Sequence, residues 1–417
     1  MFDMHSLLVW LGGVLRVSRN CLLPYKSQQQ EAELVIDFPQ FFHELRTIEL
    51  KKVPNEGGTV LSAGCAGTWY FDWFRQSYSG VINQHIGIDA YSPRPPDLPA
   101  EAVWIADSIQ EMKGVRDRDV DLIFAGQVVE HLWPLEFAGL LSEAHRLLRP
   151  GGRLVMDSPN REITTVLRWS HREHTIEYTT SEIVELVELA GFDIVSIRGL
   201  WLCRSNGKVL PLFVPEDSSQ RARRIAEANQ RPEDSFSWWV EALRAERPPR
   251  QRELALRLGN ICALNRPQQF SEFRRQIGNV TETDGFKRVV TRRGESGFIH
   301  YGPYLPFPPG RHELTFALST PEPSIDSAVA CILDVTHDSG VTLLASREIR
   351  CCDLNRSTGK LPLQFDLDAT HFGVEYRVRT TGMIPICLKL PIKVRTIFSD
   401  VIEPTDWTPL QVEEFLG

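Results

Sequence analysis

The chain has 417 residues, of which 42% are hydrophobic and 24% charged, with a formal net charge of −8. These values exclude a chain disordered throughout, and 28 glycines and 27 prolines exclude a collagen-like fibre. The length implies two or three domains, and the negative balance argues against a nucleic-acid-binding protein, which carries a basic face.

The cysteines Cys21, Cys65, Cys203, Cys262, Cys331, Cys351, Cys352 and Cys387 form no CxxC pair, which argues against a zinc ribbon or dithiol redox site. Their scarcity argues against a disulfide scaffold and makes the cytoplasm the simplest compartment. No apolar run is long enough for a transmembrane helix. The run Leu7–Leu15 has Arg16 and Arg19 after it, where a signal peptide carries its charge before. It reads as a packed helix or, alternatively, as a peripheral contact with the inner face of the membrane.

Residues 32–52 place Phe38, Phe41, Phe42, Leu45, Ile48 and Leu50 at roughly helical spacing. After Asn55-Glu56-Gly57-Gly58, Thr59–Leu61 reads as a strand. Further strands are expected at 81–89, 102–106, 121–124, 153–156 and 192–197, with helices at 137–148 and 181–190. Gly191 suits the position just past the second helix. Alternation of this kind predicts parallel pairing through right-handed crossovers. Residues 204–285 read as a mainly helical connector or lid broken by Pro248-Pro249. From 286 onward the strand-like runs 297–300, 312–318, 328–335, 342–350, 363–367, 374–380 and 384–394 follow one another without helices, which predicts an antiparallel sandwich.

The segment Ser62-Ala63-Gly64-Cys65-Ala66-Gly67-Thr68 runs from a strand into a helix. Small residues there let the backbone approach a ligand closely; the plain alternative is a turn. Asp89 ends the next strand-like run, where an acid is placed to accept ribose hydroxyls or to cap a helix. Asp107 ends the third, placed to accept from an adenine amino group, with Ile109 against the ring; its alternative is a solvated cap.

Together with Asp121-Leu-Ile-Phe-Ala-Gly-Gln-Val-Val-Glu130-His131-Leu132 and Glu143-Ala-His-Arg-Leu-Leu-Arg-Pro150-Gly151-Gly152, these segments resemble the class I S-adenosylmethionine-dependent methyltransferases over residues 57–200. The resemblance implies a Rossmann-like domain with a mostly parallel seven-stranded sheet over 57–203, after an N-terminal helical extension over 1–56. A connector over 204–285 and a β-sandwich over 286–417 follow. It implies S-adenosylmethionine as cofactor, held by Gly64, Cys65, Ala66, Gly67, Asp89, Ala90, Asp107, Ser108, Ile109 and Gln127. Two departures stand out. Ser62 occupies the place of the family's loop acid, and Ala66 and Thr68 stand where further glycines are usual. An oxidoreductase competes poorly, because the loop lacks G-x-G-x-x-G.

Methyl transfer to a hydroxyl requires a general base, and histidine suits neutral pH. His131, His171 and His174 are the candidates, with structural or polar-loop roles as alternatives. His131, Asn160, His171, Tyr178 and Trp238 are assigned to the acceptor side, Asn160 with a turn role as its rival. No metal is expected, since His171 and His174 lack a clear helical frame. Tyr301 and Tyr304 beside prolines are placed to stack on sugar faces or to pack a core. The C-terminal segment resembles β-sandwich modules of bacterial polysaccharide-assembly enzymes, which implies a glycan or small-molecule acceptor such as a nucleotide sugar. Rival readings are an N- or C-methyltransferase and a non-catalytic glycan-binding or assembly protein with a degenerate methyltransferase half.

Overall fold

The computed structural model describes residues 38–397, apart from residues 66, 170, 172, 216, 271, 272 and 339 and the side chains of residues 263, 266–270 and 397. The apolar run at residues 7–15 and the expected start of the first helix at residue 32 lie outside the described residues. The chain divides into two compact units. The first comprises residues up to Glu130, Glu136–His171 and Glu177–Leu254; the second comprises His131–Leu135, Arg172–Ile176 and the chain from Ala255.

In the first unit, helix α1 (Phe38–Lys52) buries Phe41, Leu45 and Leu50. Then come β1 (Thr59–Ala63), α2 (Thr68–Ser77), β2 (Gln84–Ile88), β3 (Ala102–Ile105) and β4 (Val120–Gly126). A one-turn helix at Val129–His131 leads to α3 (Pro134–Leu147), β5 (Leu148–Pro159), α4 (Arg161–Leu167), α5 (Thr180–Leu189) and β6 (Phe192–Leu202). Helix α5 starts on a capping box between Thr179 and Glu182, and Gly191 follows it at φ 85°. A short hairpin, β7 (Arg204–Ser205) with β8 (Lys208–Val209), precedes α6 (Ser218–Gln230) and β9 (Ser235–Arg244), and α7 (Gln251–Phe270) begins at the end of this unit and runs on into the second from Ala255.

Strand order in the seven-stranded sheet is β3-β2-β1-β4-β5-β9-β6. The pairs β1–β2, β2–β3, β1–β4 and β4–β5 are parallel. From Leu122 to Gly126 strand β4 is continuously buried, as expected of a strand covered on both faces. The expected connector over 204–285 is corrected here. Its Ser235-Phe-Ser-Trp-Trp-Val-Glu-Ala stretch is strand β9, antiparallel to both β5 and β6 and lodged between them. The aromatic and β-branched run fits a doubly buried strand, and its polar flanks Arg231–Asp234 and Arg244–Arg250 had obscured it. The sheet domain therefore does not end at residue 203.

Among the described residues the second unit carries ten strands: β10 (Asn279–Thr283), β11 (Phe286–Val290), β12 (Gly297–His300), β13 (Pro303–Phe307), β14 (Gly310–Ser319), β15 (Val329–His337), β16 (Thr342–Arg350), β17 (Gly359–Leu367), β18 (His371–Thr380) and β19 (Cys387–Ile397). One sheet has the order β10-β11-β19-β14-β17; the other has β12-β18-β15-β16, with β13 also on β18. Both are antiparallel, and inward residues from the two meet in one core: Leu314, Phe316, Phe365 and Leu388 with Leu333, Val335, Tyr376 and Val378. The expected boundary at 285/286 falls within the β10–β11 hairpin, whose pairing carries the sandwich back to Asn279.

Candidate functional site

The chain runs from β1 outward through β2 to β3 and then crosses to β4 on the other side of β1. That reversal opens a crevice at the C-terminal ends of β1 and β4, where open α/β sheets bind ligands. Gly64 leaves β1 at φ 68°, and a Cβ there would come within 2.5 Å of Val128 Cγ2. Gly67 sits at φ 91°. Both positions require glycine for conformation, and Gly64 requires it for space as well. The N–H groups of Gly64 and Cys65 donate to Ile88 O (2.9 and 3.3 Å), tying the loop to the end of β2. The Cys65 thiol is buried, and burial and the Asp89 charge raise its pKa. Ala66 lies outside the described residues.

Asp89 follows β2 and accepts from the N–H groups of Tyr91 (2.8 Å) and Ser92 (2.7 Å), both on Oδ1. This turn fixes the carboxylate at the strand end beside an exposed Ala90. Asp107 accepts from Ser108 N–H (2.7 Å), Ser108 Oγ accepts from Gln110 N–H (3.3 Å), and Ile109 is buried. The strand ends β1, β2 and β3 thus present a glycine turn, an acid, and an acid with an apolar neighbour.

At the end of β4, Gln127 has φ 57° and donates from Nε2 to Asp157 Oδ2 (2.8 Å). Asp157, near the end of β5, also receives Arg46 from α1: Nε to Oδ2 at 2.7 Å and Nη2 to Oδ1 at 3.1 Å. Burial opposes the Arg46 charge, but Asp157 more than compensates and raises its pKa. Glu130 is fully buried, and neither carboxyl oxygen has a hydrogen-bond partner among the described residues. Burial, with the charges of Asp157 and Glu177, pushes its pKa up to about 8, so it is a neutral acid at pH 7. None of Arg46, Glu130 and Asp157 had been assigned a role from sequence. An acid closing the apolar run Leu154-Val155-Met156-Asp157 was the available signal.

Ser62, at the place of the family's loop acid, is buried and shares a hydrogen bond with His85 Nε2 (2.9 Å). Burial, then Arg75, lowers the His85 pKa to about 3, so its imidazole is neutral. A carboxylate at position 62 would face this desolvated ring, whereas a hydroxyl matches it.

The acceptor-side candidates divide. Asn160 is buried and caps α4: its side chain accepts from Glu162 N–H (3.2 Å) and donates to the carbonyls of Pro232, Glu233 and Ser235 (each 3.2 Å). Its amide is committed to the fold, which corrects the substrate role in favour of the turn role. Trp238 is fully buried in β9 and donates from Nε1 to Tyr178 O (2.9 Å), and Tyr178 is equally buried. Both rings are core, because the strand that carries Trp238 lies inside the sheet. His171, in the first unit, stacks with Trp169 at 6.3 Å between ring centroids. In the second unit, His131 and His174 meet edge to face at 4.9 Å. His131 Nδ1–H donates to Glu173 O (3.0 Å), which sets the tautomer with its lone pair on Nε2. Burial lowers the His174 pKa to about 3.

Residues 30–197 match the profile of the family described as "Methyltransferase domain". A Mycolicibacterium smegmatis protein named as a probable S-adenosylmethionine-dependent methyltransferase is 38% identical over 149 residues, which is 35% of this chain and 56% of that protein. A Mycobacterium tuberculosis protein of the same description is 36% identical over 87 residues, 20% of this chain and 31% of that protein. The chain therefore spans about half the length, or less, of these curated relatives. Among solved structures, an S-adenosylmethionine-dependent methyltransferase from Archaeoglobus fulgidus is 19% identical, covering 50% of this chain and 95% of that one with a TM-score of 0.36. Over residues 30–197, which carry most of the seven-stranded sheet, the chain is thus similar to S-adenosylmethionine-dependent methyltransferases.

Proposed function

We propose that this protein transfers a methyl group from S-adenosylmethionine to a hydroxyl of a sugar, in a glycan, a polysaccharide or a nucleotide-sugar precursor. The carrying observation is the set of strand ends: a glycine turn closed to any side chain at Gly64, and a carboxylate at Asp89 held by its own turn through Oδ1. When bound, the cofactor supplies the electrophilic methyl. Gly64 and Gly67 let the backbone approach its amino-acid end, Asp89 accepts the ribose hydroxyls, and Asp107 and Ile109 flank the adenine.

For such a transfer the chain would have to take up the proton that the acceptor hydroxyl gives up. Two acid-base groups follow β4 in the chain. Glu130 retains its own proton at neutral pH. His131 carries a lone pair on Nε2 by virtue of its Glu173 contact, and we assign the base to it. Tyr301 and Tyr304, both half-buried on the sandwich, support the sugar reading, since aromatic faces complement the apolar faces of sugars.

The second reading, a non-catalytic glycan-binding or assembly protein, is favoured by Ser62 at the place of the loop acid. Calorimetry with S-adenosylmethionine separates the two, and no detectable heat sinks the enzyme. Asp89→Ala is expected to weaken cofactor affinity about 30-fold or more, the scale of a lost charge-assisted hydrogen bond; unchanged affinity removes the ribose assignment. His131→Ala is expected to cut turnover by about 100-fold or more with cofactor affinity kept. Labelled methyl transfer to a panel of nucleotide sugars and glycans tests the acceptor class.

A further inference from the structure

Arg46 lies in α1, ahead of every strand of the sheet, yet its guanidinium is buried at the ends of β4 and β5. It grips both oxygens of Asp157, which is itself fully enclosed. Gly126 makes room for it, since any Cβ there would overlap Arg46, Asp157 and Phe124. On its other side the guanidinium lies over the Trp73 ring, 5.2 Å from the centroid. Asp157 in turn holds Gln127 twice: its backbone carbonyl accepts from Gln127 N–H (2.8 Å) and its Oδ2 accepts from Gln127 Nε2 (2.8 Å).

Two consequences follow for Gln127. Its φ of 57° is one that a residue with a Cβ adopts only where its surroundings hold it. Its amide orientation is fixed as well, because a carboxylate only accepts: the NH₂ faces Asp157, and the carbonyl oxygen is the acceptor left for a ligand. Val128, the next residue, is the one a side chain at Gly64 would strike, so Gln127 stands beside the glycine turn.

We propose that Arg46 is a positioning residue for the cofactor: through Asp157 it locks Gln127 so that the Gln127 carbonyl oxygen receives the cofactor's ammonium group. The inference rests on the methyltransferase reading above. It supplies an acceptor at the crevice where Ser62, engaged with His85, does not provide the family's carboxylate. It also makes α1 part of the cofactor site and not an extension beside it; the family profile likewise begins ahead of α1, at residue 30.

The test uses the full chain and S-adenosylmethionine, with affinity read by calorimetry and folding by thermal unfolding without cofactor. Gln127→Ala is expected to weaken affinity about ten-fold while the melting temperature holds. Arg46→Met strands the Asp157 carboxylate and risks the fold, so Arg46→Met combined with Asp157→Leu removes both charges together. That protein is expected to melt near the parent temperature and to bind about ten-fold more weakly. Adding Gln127→Ala to it is expected to change affinity less than two-fold, because the two routes act through one group. Parent affinity in Gln127→Ala, or a Gln127→Ala effect of equal size in both backgrounds, overturns the lock and leaves the methyltransferase reading standing. A parent chain that binds no S-adenosylmethionine overturns both, so the parent measurement tells the two failures apart.

Discussion

The two units treat buried polar side chains in opposite ways. In the sandwich no described side chain has a buried nitrogen or oxygen without a hydrogen-bond partner, and the partners are often backbone. His312 donates from Nε2 to Pro308 O (2.8 Å) and pairs through Nδ1 with Thr396 Oγ1 (3.0 Å), and His300 Nδ1–H donates to Tyr376 O (3.1 Å). In the α/β unit, His85 Nδ1, Trp104 Nε1, both Glu130 oxygens and Ser158 Oγ are buried without a hydrogen-bond partner among the described residues. Glu130 and Ser158 lie at the C-terminal end of the sheet, beside the buried Arg46–Asp157 pair. Folded interiors seldom leave such groups unmatched, and where they do, the site is a candidate for chemistry. The contrast marks one unit as a matched packing unit and the other as carrying uncompensated polarity at the C-terminal end of its sheet.

The largest test of that contrast is Asp157→Ala. It leaves the buried Arg46 guanidinium uncompensated and strips Gln127 of its side-chain partner, so a loss of about 3–5 kcal/mol in urea unfolding is expected. A loss below about 1 kcal/mol would show the pair to be as weak as an exposed one.

Glu130→Gln probes the unmatched acid through pH. The folded-state pKa of about 8 lies above the unfolded value of 4.5, so the native state binds the extra proton between them. By linkage this group makes stability fall as pH rises from about 4.5 to about 8, by up to about 1.4 kcal/mol per unit. The variant has no such proton and is expected to show a flatter stability profile across that window. Parallel profiles for parent and variant would mean that Glu130 titrates normally.

The smallest expected effect comes from the matched unit. His312→Leu removes the donor to the part-buried Pro308 O, which is expected to cost about 0.5–1.5 kcal/mol in denaturant unfolding. Cofactor affinity is expected to stay at the parent level, and a ten-fold drop would break the division of labour drawn here.

Much of this was legible in the order of residues. The parallel strands, the glycine turn after β1 and the acid after β2 are set by local pattern: continuous apolar runs, a positive φ that only glycine meets cheaply, and an acid one residue past a strand. The same holds for the alternating strands of the sandwich, where Leu363, Phe365 and Leu367 face inward at every second residue.

Long-range pairing was not legible. The segment around Trp238 and Trp239 has the composition of an acceptor-binding insert and that of a buried strand alike, and only its place between β5 and β6 decides between them. Asn160 follows the same logic, since its NH₂ met the carbonyls of Pro232, Glu233 and Ser235 only once that segment came back against it. Arg46 and Asp157 stand 111 positions apart, and no local period links them. Sequence by itself therefore determined most of the elements and the place of the glycine turn after β1, because backbone conformation and burial pattern are local properties. Tertiary structure alone decided which charges face one another and which acid keeps its proton, because those depend on desolvation and on neighbours that the chain brings together only when folded.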